Sequence, residues 1–222
     1  MWSKVAVPER DGPREEGPAD LVVGEDGLGR CAWGAGLADY RDYHDREWGR
    51  AVHGDTALFE RLSLEAFQSG LSWLTILRKR PAFRTAFAGF VPELVAAFGE
   101  AAVARLLADA GIVRNRAKVA ATITNARVLA TLRAAEGEGA FDRLVWSFAP
   151  SSTSEIGDPA TRAAAPPPIT LADVPTKTPA STALAADLKR RGFVFVGPTT
   201  AYALMQACGL VDDHLVGCHA RG

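Results

Sequence analysis

The chain has 222 residues, 48% hydrophobic and 23% charged, ordinary proportions for a soluble globular protein and enough length for one well-buried domain or two small lobes sharing a core. No apolar run approaches the roughly 18 residues needed to span a bilayer. The net charge of −1 is unevenly placed: residues 1–30 hold four basic and seven acidic groups, leaving about +2 on the rest, which permits a nucleic-acid partner without pointing to one.

Residues 1–30 are rich in Pro, Gly and acid, lack periodicity and read as a mobile extension. Their first twenty residues lack the apolar stretch of a signal peptide, and three cysteines do not make a disulfide framework, so a reducing cytoplasm is expected. From Cys31 onward the pattern is helical, and residues 31–222 read as a single all-α domain. DTALFERLSLEAFQSG (55–70) opens on an Asp suited to an N-cap and closes on a Gly suited to a C-cap. LTILRKR stops at Pro81, and PAFRTAFAGF and PELVAAFG each start with a proline fit for a first helical turn. EAAVARLLADAG (100–111) and RAKVAATITNARVLATLRAA (116–135) repeat apolar residues at helical spacing. The segment 150–180 holds seven of the 13 prolines and reads as a long, partly ordered connection. Helical pattern returns in STALAADLKRRG and TTAYALMQACG. No run of period-two alternation is longer than RGFVFVG.

The chain ends near DDHLVGCH (212–219). His214 and Cys218 stand four apart, a spacing that places two metal ligands on one face of a helical turn and makes half of a four-donor site. Cys31 and His44 could supply the other half, stapling the two ends together, but Cys208 and His53 are equally good by spacing. Adjacent His219 would point away from the face that His214 and Cys218 share.

Two further stretches admit two readings each. DAGIVRNRAKVA joins two periodic helices through a few residues. It is either a plain αα-hairpin or a helix-hairpin-helix, whose Gly111 turn and free amides near Arg114, Arg116 and Lys118 face DNA phosphates. The runs RKR (78–80) and KRR (189–191) could add phosphate contacts or be solvated faces. Glu65 lies in an otherwise apolar stretch, eight residues before Trp73; it is a functional acceptor or part of a polar helix face. Trp33, Tyr40, Tyr43, Trp48 and Trp73 are, on composition alone, most simply core residues.

RCAWGAGLADYRDYHDREWG, SLEAFQSGLSWLTILRKR, DAGIVRNRAKVAATITNA, VWSF and RGFVFVGPTTAYALMQACGLVDDHLVGC together resemble the 3-methyladenine DNA glycosylase I family, in the same order and from about residue 31 to 218. The resemblance implies a helix-hairpin-helix glycosylase bundle with its hairpin near 106–130. It also implies a structural zinc on Cys31, His44, His214 and Cys218. It makes Glu65 the recognition carboxylate and Trp73 a stacking partner, with Tyr43, Trp33, Trp48 and Tyr40 as further pocket walls. Gly111, Arg114, Arg116 and Lys118 become the grip on the DNA backbone.

The implied reaction is hydrolysis of the N-glycosidic bond of 3-methyladenine flipped from alkylated double-stranded DNA, releasing the free base, by a monomer without membrane contact. No Asp follows Lys118 until Asp142, and no Lys lies between 119 and 176, so lyase chemistry is not expected. The alternative is a zinc-stapled module that recognises alkylated DNA without catalysis.

Overall fold

The computed structural model describes residues 20–150 and 166–222. Helices dominate, and none is long and apolar enough to cross a membrane. The sheet among the described residues is a single antiparallel hairpin, β1 (Leu21–Val23) and β2 (Gly29–Cys31), in which Leu21 pairs with Cys31. This corrects the mobile extension expected over residues 1–30: the chain is built in from Asp20 onward, while residues 1–19 lie outside the described residues. Three-residue strands are too short to show alternation. What holds them is Arg30, buried and gripped by Asp26 and Asp45 at 2.7 and 2.9 Å.

After a single turn, α1 (Ala32–Ala35), comes α2 (Ala38–Arg46), and then α3 (Asp55–Gln68), which is buried along nearly its whole length. Asp55, expected to cap its own helix, begins inside α3 and caps a neighbour instead. Its carboxylate accepts from the amides of Gly139 and Asp142 at 3.0 and 2.9 Å, at the start of α8 (Ala140–Trp146).

The expected stop at Pro81 is also corrected. α4 (Trp73–Ala86) runs straight through it, because Ile76, Arg80 and Phe83 bury one continuous face. Packing of that face outweighs the roughly 3 kcal/mol that an interior proline costs. Short α5 (Pro92–Ala96) opens on proline as expected. α6 (Glu100–Ala108) and α7 (Arg116–Glu136) follow close to their predicted bounds, then α8, α9 (Pro179–Arg190) and α10 (Pro198–Ala207).

The first half of the proline-rich connection, 151–165, lies outside the described residues. Its C-terminal part makes a 3₁₀ turn, Leu171–Asp173, closed by a Thr170–Asp173 capping box. RGFVFVG is not a strand: Phe195 has φ 61°, and Asn125 of α7 pairs with both the amide and the carbonyl of Val194 at 2.8 and 3.0 Å. One apolar core extends in sequence from Tyr43 to Leu210, and a small separate cluster gathers Cys31, Leu215, Cys218 and Ala220.

Candidate active site

Cys31, His44, His214 and Cys218 meet beside that small cluster. All four are buried, and their donor atoms lie within 4.8 Å of one another. Cys218 Sγ is 3.5 Å from both His44 Nε2 and His214 Nδ1, and Cys31 Sγ is 3.9 Å from His214 Nδ1. Bond lengths to a tetrahedral zinc imply N···S edges of about 3.6 Å, so these donors fit one ion. The remaining histidine nitrogens are engaged. His44 Nδ1 faces Asp45 Oδ1 at 2.8 Å, and His214 Nε2 faces the Trp48 carbonyl at 3.1 Å. Such outer partners fix which ring nitrogen is left for a metal.

His219 sits behind, on Asp45 at 3.0 Å. The open alternatives fall away: Cys208 belongs to the main core, and His53 is exposed, stacked on Trp146 and bonded to Asp142. Gly34 is needed here because a Cβ would lie 2.4 Å from the His44 ring.

Next to this cluster lies a cavity of about 220 Å³ lined by Trp33, Tyr40, Tyr43, Trp48, Glu65, Gln68, Trp73, Ala203 and Gln206. All six residues singled out in the sequence for the pocket therefore converge. Tyr43 and Trp73 lie 5.3 Å apart by ring centroids, while Trp33 meets both Tyr40 and Trp48 edge-to-face at 5.6 and 5.0 Å. The cluster braces these walls. Trp33 packs on His44, Trp48 packs on His214, and Tyr43 immediately precedes His44.

Glu65 is 6% exposed and accepts no hydrogen bond from a described residue. Burial pushes its carboxyl up to about 8, only partly countered by the Arg61 guanidinium one turn before it. Trp73 Nε1 is likewise buried without a partner. A carboxyl without a partner on the wall of an aromatic cavity is costly unless a ligand completes it. Burial also removes the reading of Glu65 as part of a solvated helix face.

Sequence reasoning missed Gln68 and Gln206. Gln68 was within reach, three residues after Glu65 on the same helical face. Gln206 comes from α10 and had no local signal. A second cavity of about 330 Å³ shares Trp33, Trp48, Ala203 and Gln206 with the first and continues past Tyr202 and Asp213 to the 3₁₀ turn. A larger groove along α7, about 420 Å³, holds only two charged groups, both occupied: Arg127 by the carbonyls of Ala96 and Phe98, and Arg191 by Asp187.

The α6–α7 junction is a tight hairpin. Asp109 accepts from the Gly111 amide at 2.7 Å, Asn115 caps α7 through the Lys118 amide at 3.1 Å, and a Cβ at position 111 would lie only 3.0 Å from that of Ala82, so glycine suits the turn. Arg114 and Arg116 are exposed, with no ion pair to a described residue.

Lys118 corrects the expectation of a phosphate contact. It is 7% exposed, and its ammonium donates to the carbonyls of Phe67 and Ser69 at 2.9 and 2.6 Å. Those orphan carbonyls end α3, and a cation there is favoured. RKR is also absorbed into structure: Arg78 pairs with Asp39, Lys79 donates to Ala110 and Gly111, and Arg80 bridges Glu47 and Glu60. In KRR, Arg190 and Arg191 both pair with Asp187.

The sequence pattern of the methyladenine glycosylase family matches residues 33–221. DNA-3-methyladenine glycosylase 1 of Escherichia coli (strain K12) is 46% identical over 192 residues, covering 85% of this chain and 95% of that protein. A crystal structure of 3-methyladenine DNA glycosylase I superposes with a TM-score of 0.77 at 43% identity, over 87% of this chain and all of that one. A variant of such an enzyme in complex with 3-methyladenine gives 0.75 at 34% identity, over 87% and 97%. With the pattern matched across nearly the whole described chain, and the aromatic cavity and Cys/His cluster in place, the chain belongs to the methyladenine glycosylase family.

Proposed function

We propose that this chain is a base-excision repair glycosylase that hydrolyses the N-glycosidic bond of 3-methyladenine in alkylated double-stranded DNA. The observation that carries the reading is Glu65: a buried carboxylate with no partner among the described residues, set among five aromatic side chains in a cavity of purine size. A base reaches such a cavity only after leaving the duplex stack. Attached to the sugar, 3-methyladenine is a cation, so it is drawn to Trp and Tyr faces by about 0.5–2 kcal/mol per contact. It is also drawn to the Glu65 carboxylate, which accepts hydrogen bonds from the adenine edge. Trp73, Tyr43, Trp33, Trp48 and Tyr40 are the walls that stack and enclose it.

The chemistry follows from that charge. Water adds to C1′, the C1′–N9 bond breaks, and its electron pair neutralises the departing base, which leaves as free 3-methyladenine while the water proton passes to solvent. Because the leaving group needs no protonation, binding the cation in an extruded geometry supplies much of the selectivity. Glu65 orients the base and stabilises positive charge, including that of the oxocarbenium-like transition state. Undamaged bases would depart as anions and would need strong acid assistance, so the leaving group itself supplies the discrimination.

Gly111, Arg114 and Arg116 present the hairpin to the phosphate backbone. Lys118 acts from within: by tying α7 to Ser69, it couples the hairpin to the loop between Glu65 and Trp73. Cys31, His44, His214 and Cys218 would hold a zinc ion whose contribution is structural, since four protein donors leave no open position for a reacting water.

The test is release of free bases from alkylated duplex DNA by wild type and Glu65→Gln side by side. Wild type is expected to release 3-methyladenine, and the variant to lose about 100-fold or more while keeping its metal. DNA binding without release by metal-replete wild type would instead support a damage-recognition module.

A further inference from the structure

Gln206 contributes to the wall of the base cavity from α10, and its amide is not free to turn. Nε2 donates to Asp213 Oδ2 at 2.8 Å, the same oxygen that accepts from the Tyr202 hydroxyl at 2.5 Å. A carboxylate only accepts, so the amide nitrogen must face Asp213 and the amide oxygen must face away. No described residue donates to Gln206 Oε1. The clamp is anchored at both ends. The Gln206 carbonyl accepts from the Gly49 amide at 3.1 Å, and Asp213 directly precedes His214 of the Cys/His cluster.

We propose that Gln206 is a specificity residue, whose amide oxygen forms with the Glu65 carboxylate a pair of acceptors reading the exocyclic amine of the flipped purine. This rests on the glycosylase reading above. An adenine amine carries two N–H donors and can serve both acceptors, and in the methylated cation it is a stronger donor still. A 6-oxopurine presents an acceptor oxygen at the same edge, leaving the pair without hydrogens and setting lone pairs against lone pairs. Glu65 alone would discriminate poorly, because a protonated carboxyl can donate to that oxygen. The clamped amide of Gln206 has no such option.

The test compares kcat/KM for 3-methyladenine and 3-methylguanine excised from the same alkylated duplex. Gln206→Leu keeps the side-chain bulk and removes the acceptor. It is expected to lower the adenine-to-guanine ratio by about 10- to 100-fold. Asp213→Asn lets its own amide donate to Oε1, so that the Gln206 amide can reverse and turn Nε2 to the cavity. It should shift the ratio in the same direction with metal content unchanged, and it carries the test alone if Gln206→Leu does not fold.

A ratio left at the wild-type value, even with lower absolute rates, would overturn the proposal and leave Gln206 as a wall residue. Wild type that releases neither base would overturn the glycosylase reading as well, so the two failures are separable.

Discussion

The Cys/His cluster and the aromatic cavity share walls yet are built on opposite rules. In the cluster every donor has a neighbour: two thiols and two ring nitrogens face one another, and Asp45 and the Trp48 carbonyl hold the remaining nitrogens. In the cavity the decisive group, the Glu65 carboxyl, has no partner among the described residues. Completed polar networks fix structure, and incomplete ones in buried positions mark where a ligand belongs. The first rule serves the second here, because Trp33, Tyr43 and Trp48 pass directly from one region to the other.

Breaking the cluster should have the largest effect. Cys218→Ala, or removal of the metal by a chelator, leaves buried donors without a centre. We expect loss of one bound zinc per chain by elemental analysis and a stability drop of several kcal/mol. The β1–β2 hairpin and the C-terminal segment should lose hydrogen-exchange protection first, because their small apolar cluster is separate from the main core. Wild type purified without stoichiometric metal, and indifferent to chelation, would contradict the zinc assignment.

The cavity should respond in the opposite sense. The Glu65 carboxyl is raised from its ordinary 4.5 to about 8, so the folded state prefers it protonated. Its contribution to stability is fully present below about pH 4.5 and is lost as pH rises through 8. Glu65→Gln removes that loss. Its thermal midpoint should exceed wild type at pH 8 by an amount corresponding to a few kcal/mol, with the advantage shrinking toward pH 5. A variant less stable than wild type at both pH values would mean that Glu65 is satisfied after all.

The hairpin supplies a finer contrast between a buried and an exposed cation. Lys118→Met should cost about 1–3 kcal/mol of stability by stranding the Phe67 and Ser69 carbonyls, with little change in how DNA affinity depends on salt. Arg116→Ala should leave stability nearly unchanged but reduce the slope of log affinity against log salt by about one. If Lys118→Met lowers that slope instead, its ammonium reaches DNA.

The sequence alone determined the helical class, the bounds of α7 nearly to the residue, the four members of the Cys/His cluster, and Glu65 with the aromatic walls of the cavity, though not Gln68 or Gln206. Helical periodicity is written in the order of apolar residues, and the resemblance fixed which distant Cys, His, Glu and aromatic residues belong together. Three errors share one cause. Asp55 caps α8 instead of α3, α4 continues through Pro81, and Lys118 turns inward to end α3; in each case a partner distant in sequence outweighs the local rule. The β-hairpin escaped notice because its support comes from Asp45, far along the chain. Gln206 stayed invisible because its direction depends on the Asp213 carboxylate and, Ala203 apart, its neighbours in the cavity lie more than 130 residues before it. Local pattern encodes propensity, but the burial of a charge and the facing of an amide are properties of the assembled core. Only the tertiary structure decides which polar groups are completed and which are left open.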